Sequence, residues 1–329
     1  MQAFVYFPLC YLICCGQFLQ LYLVSIRQLP LKLKSIWHFS LLTILSLFSL
    51  IIGLVHITFV FGERIFFSWL IKNPEKSYVY IIGAPRSGTT RLHKLTASDT
   101  DKFTAMKMWE MFFAPSIIQK KAFAILGKID SIFNSLFSNS IQKIEKFSFS
   151  KFNTIHSLSL FNVLFHLFYS YHLSFLLGTE KSYAHLNKNE KIPKAVWVYY
   201  KYCIENHQLQ NPGKIYLAKN PFFTAHTSTL KQLFPDIKFV NLKRDLQEVA
   251  PSFFSMKKHL SNVFYGCSPS DKKYKDILNT LKYWQECGSN LPTKNTLQLA
   301  YTDLKEKPSY SVSKIYTFLQ LDCSKKHQD

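Results

Sequence analysis

Apolar positions along this chain fall into three patterns. In the first, they crowd together without interruption: residues 1–26 and 35–62 carry no charged side chain. About 20 apolar residues suffice to cross a bilayer, so these stretches predict two transmembrane helices, over residues 3–24 and 36–62. The short connection between them holds Arg27, Lys32 and Lys34 and no acid. That bias places the connection in the cytosol and everything beyond Gly62 on the lumenal or outer side. A single anchor at 36–62 would reverse that orientation.

The second pattern is a set of short apolar runs with little alternation, at 78–83, 214–218, 237–242 and 296–301. Strands buried on both faces have this form. The third is helical spacing between those runs, over 89–97, 194–208, 224–234, 245–260 and 310–320. Strands that alternate with helices predict an α/β fold with a P-loop-like parallel sheet flanked by helices. The expected organisation is therefore a membrane-anchoring segment, 1–62, followed by one α/β domain, 63–329. A further uncharged stretch, 152–179, is interrupted by Ser, Asn, Thr and His. We assign it to the domain, because a span there would separate Arg86 from Arg244 across the membrane.

The first strand runs into "GAPRSGTT", residues 83–90. Glycines in a turn between a strand and a helix let backbone amides and the helix N-terminus face a phosphate. The Lys that follows the last glycine of a nucleotide-hydrolase loop is absent, and Arg86 is the only cation inside the turn. Net charge adds a clue. It is +20, yet only five of the forty basic residues are arginines. A guanidinium binds phosphate oxygens in pairs where an ammonium cannot, so Arg86 and Arg244 stand out. Arg244 ends the strand of "IKFVNLKRDLQEVAPSFFSM", and Ser252 follows eight residues later. That spacing can bring both onto a second phosphate. Two phosphate sites at two strand ends suit a nucleotide phosphorylated at both ends.

Five blocks in this order, "GAPRSGTTRLHKL", "MWEMFFAP", "YLAKNP", "LFPDIKFVNLKRDLQEVAPS" and "LAYTDLKEKPSYSVSKIYTFL", resemble the sulfotransferases that use 3′-phosphoadenosine 5′-phosphosulfate (PAPS). The resemblance is to the branch with a G-x-P-R-[ST]-G-T-T loop, which includes tyrosylprotein, bacterial and protist enzymes, and it covers residues 63–325. It implies that Arg86, Ser87, Gly88, Thr89 and Thr90 hold the 5′-phosphosulfate and that Arg244 and Ser252 bind the 3′-phosphate. It also implies that Tyr301 sits at the adenine and that Glu110 is the general base, while Arg86 steadies the leaving oxygen. Apolar neighbours Trp109, Met111 and Phe112 are expected to raise the Glu110 pKa. His93 and His226 are fallback bases, and Lys219 is a secondary candidate.

The expected function is sulfuryl transfer from PAPS to a hydroxyl of a carbohydrate, a lipid or a protein tyrosine. No metal is required, and the cysteines lack C-x-x-C spacing. Cys203, Cys267, Cys287 and Cys323 could form two disulfides in a lumenal domain. The partners expected are the nucleotide donor, the acceptor and a membrane, with the domain in the Golgi or another secretory lumen. Dispersed lysines argue against nucleic acid. Two alternatives stand beside this reading: a non-catalytic membrane protein that keeps the fold, and a P-loop kinase-like enzyme. The kinase predicts a Lys after Gly88, which the chain lacks.

Overall fold

The computed structural model describes residues 5–13, 15–16, 19, 23, 33–66, 77–106, 110, 114–133, 193–265 and 271–322. Trp109, Met111, Phe112, Cys267, Cys323 and the stretch 152–179 lie outside the described residues.

Five parallel strands form the centre, in the order β2-β3-β1-β4-β5. They are β1 (Tyr78–Ile82), β2 (Phe103–Thr104), β3 (Ile215–Lys219), β4 (Lys238–Lys243) and β5 (Thr296–Ala300). Four of the five match the apolar runs of the sequence. The fifth, β2, is only two residues long and has no pattern to read. All five residues of β1 are buried, as are the four central residues of β4, which is why these strands show no alternation. Register aligns Tyr78 with Tyr216 of β3 and Val79 with Lys238 of β4.

Helices cover both faces. Crossing from β1 to β2 is α3 (Thr89–Ala97), and between β2 and β3 come α4 (Ile117–Ile132) and α5 (Lys194–Leu209). A 3₁₀ turn at Pro221–His226 leads into α6 (Thr227–Leu233), and α7 (Leu246–Tyr265) and α8 (Asp271–Ser289) lie between β4 and β5. The last elements among the described residues are α9 (Tyr301–Glu306) and α10 (Pro308–Leu319). One core packs Tyr80, Tyr216 and Phe239 against α5 and α8; the other packs Val79, Leu217 and Val240 against α3 and α10. Side chains that alternate along one strand therefore feed two separate cores.

The N-terminal segments correct the sequence reading. A helix over residues 5–13, α1, sets Phe7 and Cys10 into the first core, both fully buried. The second apolar stretch forms α2 (Leu33–Phe66), which buries His56, Ile57, Val60 and Glu63. Among the described residues no helix is long and apolar enough to cross a membrane, so neither span, 3–24 or 36–62, is found there. Buried polar groups explain why the end of α2 belongs against protein. Asn206 of α5 donates to the Glu63 carboxylate at 3.0 Å, and Arg64 pairs with Glu205 at 3.1 Å. The Ile118 amide of α4 also donates to Glu63. Desolvation raises the Glu63 pKa against those bonds. A boundary at residue 62 would thus fall inside α2, between the side chains that hold it to the domain. Cys203 is a buried free thiol whose pKa is pushed up by burial, and Cys10 and Cys15 are also free.

Candidate functional site

The loop after β1 is shaped by three residues in the left-handed region: Gly83 (φ 137°), Arg86 (φ 67°) and Gly88 (φ 86°). A Cβ on Gly83 would lie 2.5 Å from the Leu242 carbonyl oxygen, so β1 and β4 approach this closely only because the residue is glycine. Arg86 carries a side chain at a backbone angle that costs about 1–3 kcal/mol and persists where surroundings enforce it. Thr224 is one such surrounding. Its hydroxyl accepts from the Gly83 amide at 3.0 Å and faces the Gly83 carbonyl at 3.2 Å.

The Ser87 amide closes a turn onto the Ala84 carbonyl at 3.2 Å. It is therefore committed within the loop. Helix α3 starts immediately after Gly88 with no side-chain cap, and first-turn amides have no acceptors inside a helix. The Thr89 and Thr90 amides thus offer donors at the positive end of the helix dipole. Thr89 is buried and Thr90 exposed. Ser87 is fully buried, and among the described residues its Oγ has no hydrogen-bond partner. A buried orphan hydroxyl beside open amides fits an anion as the missing partner.

Residues far apart in sequence meet on this loop. Arg86 Nε donates to Ser252 Oγ of α7 at 3.1 Å. Arg244, just past β4, donates from an Nη to the Arg86 carbonyl at 2.9 Å. Its guanidinium lies over the Tyr301 ring, 4.1 Å from the centroid. That ring packs on the loop so closely that a Cβ on Gly88 would be 2.8 Å from it. Tyr301 is the first residue of α9, one position beyond β5. Arg86, Gly88, Arg244, Ser252 and Tyr301 are thereby joined at the carboxyl ends of β1, β4 and β5, where open parallel sheets bind ligands. Two guanidiniums thus lie around an uncapped helix start, with the Tyr301 ring against Gly88 and under Arg244. Glu248 holds Arg244 Nε at 2.8 Å from an exposed i,i+4 position. Such pairs contribute little and yield readily to a stronger anion.

Lys219 gains weight from the structure. It ends β3 beside Ile81 at the same edge of the sheet. Burial, with Lys94 adding to it, pushes its pKa down to about 8. A desolvated ammonium next to a phosphate-type loop is a poised cation. The sequence signal was its position in "KNP" at a strand end.

Glu110 is described without the three apolar neighbours expected to surround it, and with an ionic partner. Its carboxylate pairs with Lys120 of α4 at 3.1 Å, and the lysine is buried. The same ammonium meets His207 Nδ1 at 2.9 Å, and His207 Nε2 meets the Thr104 hydroxyl of β2 at 2.8 Å. Burial lowers the Lys120 pKa against the pull of Glu110, and burial and Lys120 lower that of His207. This chain of four groups ties the Glu110 segment to α4, α5 and β2. His93 is buried, 3.4 Å from the Leu217 carbonyl. His226 lies edge-on to Trp197, its pKa lowered to about 4 by burial. Among the described residues no cluster of His, Cys, Asp or Glu could hold a metal.

The model for the Sulfotransferase family matches residues 79–325, from the second residue of β1 past the end of α10. Among solved structures, the sulfotransferase STF1 from Mycobacterium tuberculosis superposes with a TM-score of 0.68 at 16% identity, over 97% of this chain and 85% of that one. STF9, a sulfotransferase from Mycobacterium avium, gives 0.59 at 14% identity, over 82% of this chain and 70% of that one. These identities carry the fold alone. No curated protein sequence matches the chain. A family match over most of the length, on a fold shared with two sulfotransferases, shows that the chain belongs to the sulfotransferase family.

Proposed function

We propose that the protein transfers the sulfuryl group of PAPS to a hydroxyl acceptor. The observation that carries this reading is the meeting of Arg86, Arg244, Ser252 and Tyr301 on one loop. When bound, PAPS supplies the sulfuryl group. The Ser87 hydroxyl and the Thr89 and Thr90 amides hold the 5′-phosphosulfate, with Gly88 keeping the turn open. Arg86 and Lys219 offset the charge that develops on the departing phosphate oxygen. Arg244 and Ser252 take the 3′-phosphate, and Tyr301 offers its ring to the adenine. Glu110 accepts the proton of the attacking hydroxyl. The acceptor is a carbohydrate, a lipid or a protein tyrosine.

A second reading, donor binding without turnover, draws on the ion pair of Glu110. Its carboxylate is already engaged by the buried Lys120 ammonium at 3.1 Å.

Transfer of radiolabelled sulfate from PAPS to carbohydrate, phenolic and lipid acceptors separates the two. The proposal expects labelled product from the full chain and at least a hundredfold less from Arg86→Ala. A wild-type chain that binds adenosine 3′,5′-bisphosphate and labels none of the three classes would refute turnover.

A further inference from the structure

The helices α1, α2 and α4 leave one kind of surface uncovered. They are neighbours: the Tyr11 hydroxyl donates to the Leu50 carbonyl at 3.1 Å, and Gln119 Nε2 lies 3.0 Å from His56 Nδ1. Each packs part of its length on the domain, with Phe7 and Cys10, Ile57 and Val60, and Gln119 and Lys120 buried. Exposed positions on them carry aliphatic side chains: Leu9 and Leu12, Ile51 and Leu54, and Leu126 and Ile129, the last two in a stretch of α4, residues 121–129, that is exposed all round. Leu12 is 65% exposed, Ile51 64% and Leu126 57%. Exposed aliphatic side chains grouped on three neighbouring helices exceed the scattered exposure usual on soluble surfaces.

Lysines predominate among the exposed charges of this surface. Lys121 and Lys128 are exposed on α4, and Lys194, also exposed, sits 5.6 Å from the Tyr6 ring at the edge of α1. Among the described residues of the three helices the acids are Glu63, which is buried, and Asp130, which is half-buried. Exposed aliphatic side chains edged by lysines match an anionic bilayer, where aliphatic groups enter the acyl boundary and ammoniums meet lipid phosphates and carboxylates. A two-fold pairing with a second copy would set Lys121 and Lys128 against their own like charges.

We propose that the α1–α2–α4 face docks flat onto a membrane surface rich in anionic lipid, with the helices lying in the interface. This docking is independent of the donor chemistry.

Flotation of the full chain with vesicles tests it. Vesicles of phosphatidylcholine and phosphatidylserine at a ratio of seven to three are compared with phosphatidylcholine alone. The chain should float with the anionic vesicles and at least tenfold less with neutral ones. Two variants, Leu126→Glu with Ile129→Glu and Ile51→Glu with Leu54→Glu, place carboxylates at already exposed positions and should each lose flotation at least tenfold. Tyr310→Glu, exposed on α10 against the other core, should float as wild type does. A wild-type chain that stays at the bottom of the gradient, or that sediments as a dimer dispersed by those same variants without binding vesicles, would overturn the proposal. So would equal flotation of the variants and wild type.

Discussion

Gly88→Ala probes the meeting of loop and ring most sharply. The alanine must hold a φ of 86°, which costs a residue with a Cβ about 1–2 kcal/mol in the left-handed region. Its Cβ would also lie 2.8 and 2.9 Å from two carbons of the Tyr301 ring, and overpacking of that kind costs about 1–3 kcal/mol. The total is about 2–5 kcal/mol, a large share of the stability of an ordinary domain. Tyr301→Ala removes the ring and leaves only the backbone penalty. Denaturant unfolding of wild type, both single variants and the double variant closes a cycle. The structure implies that Gly88→Ala costs about 1–3 kcal/mol less without the ring. Additivity within about 0.5 kcal/mol would show that Tyr301 does not touch the loop, and the assembly of the second anion site would fail with it.

Three further outcomes follow from the same geometry. Lys120→Met should destabilise the chain by about 3–5 kcal/mol, because Glu110 loses a buried ammonium; adding Glu110→Gln should recover most of it, and a double variant as unstable as the single one would dismiss the pair. Lys219 has a folded pKa of about 8 against an ordinary 10.5, so the folded chain binds fewer protons between those values and stability rises with pH across them. Lys219→Met should remove a rise of about 3 kcal/mol, read as unfolding free energy against pH; parallel profiles for the two proteins would mean that Lys219 is not desolvated. Deleting residues 1–62 should prevent recovery of a folded chain, since Phe7, Cys10, Ile57 and Val60 fill the first core; a cooperative unfolding transition in residues 63–329 would restore the separable anchor.

Much of the site was legible because its chemistry is local. Gly83, Arg86 and Gly88 fall within six residues, and the turn they build needs no distant partner to be recognised. Arg244 was marked by a strand end and by the scarcity of arginine. Tyr301 was legible only through resemblance, since the apolar run 296–301 reads as a strand to its last residue. It starts α9 instead, because the backbone turns helical once past the sheet edge. The N-terminal segments misled for a physical reason. Uniform apolarity shows that a helix avoids water, but not whether protein or lipid covers it, and Phe7 and Val60 are covered by protein. The partner of Glu110 was hidden too, because Lys120 reaches it through the packing of α4 rather than through any motif. Nothing in "FT" announces a strand, and β2 forms only because β3 offers it an edge.

A thermal shift on the full chain with adenosine 3′,5′-bisphosphate, set against ATP and AMP, tests the donor site most directly. At about 100 times its dissociation constant the bisphosphate should add about 2.7 kcal/mol, and Arg244→Ala should abolish the gain because the 3′-phosphate loses its guanidinium. A shift from the bisphosphate alone, lost in that variant, is the result the account predicts. An equal shift with ATP, or an undiminished one in Arg244→Ala, would contradict it.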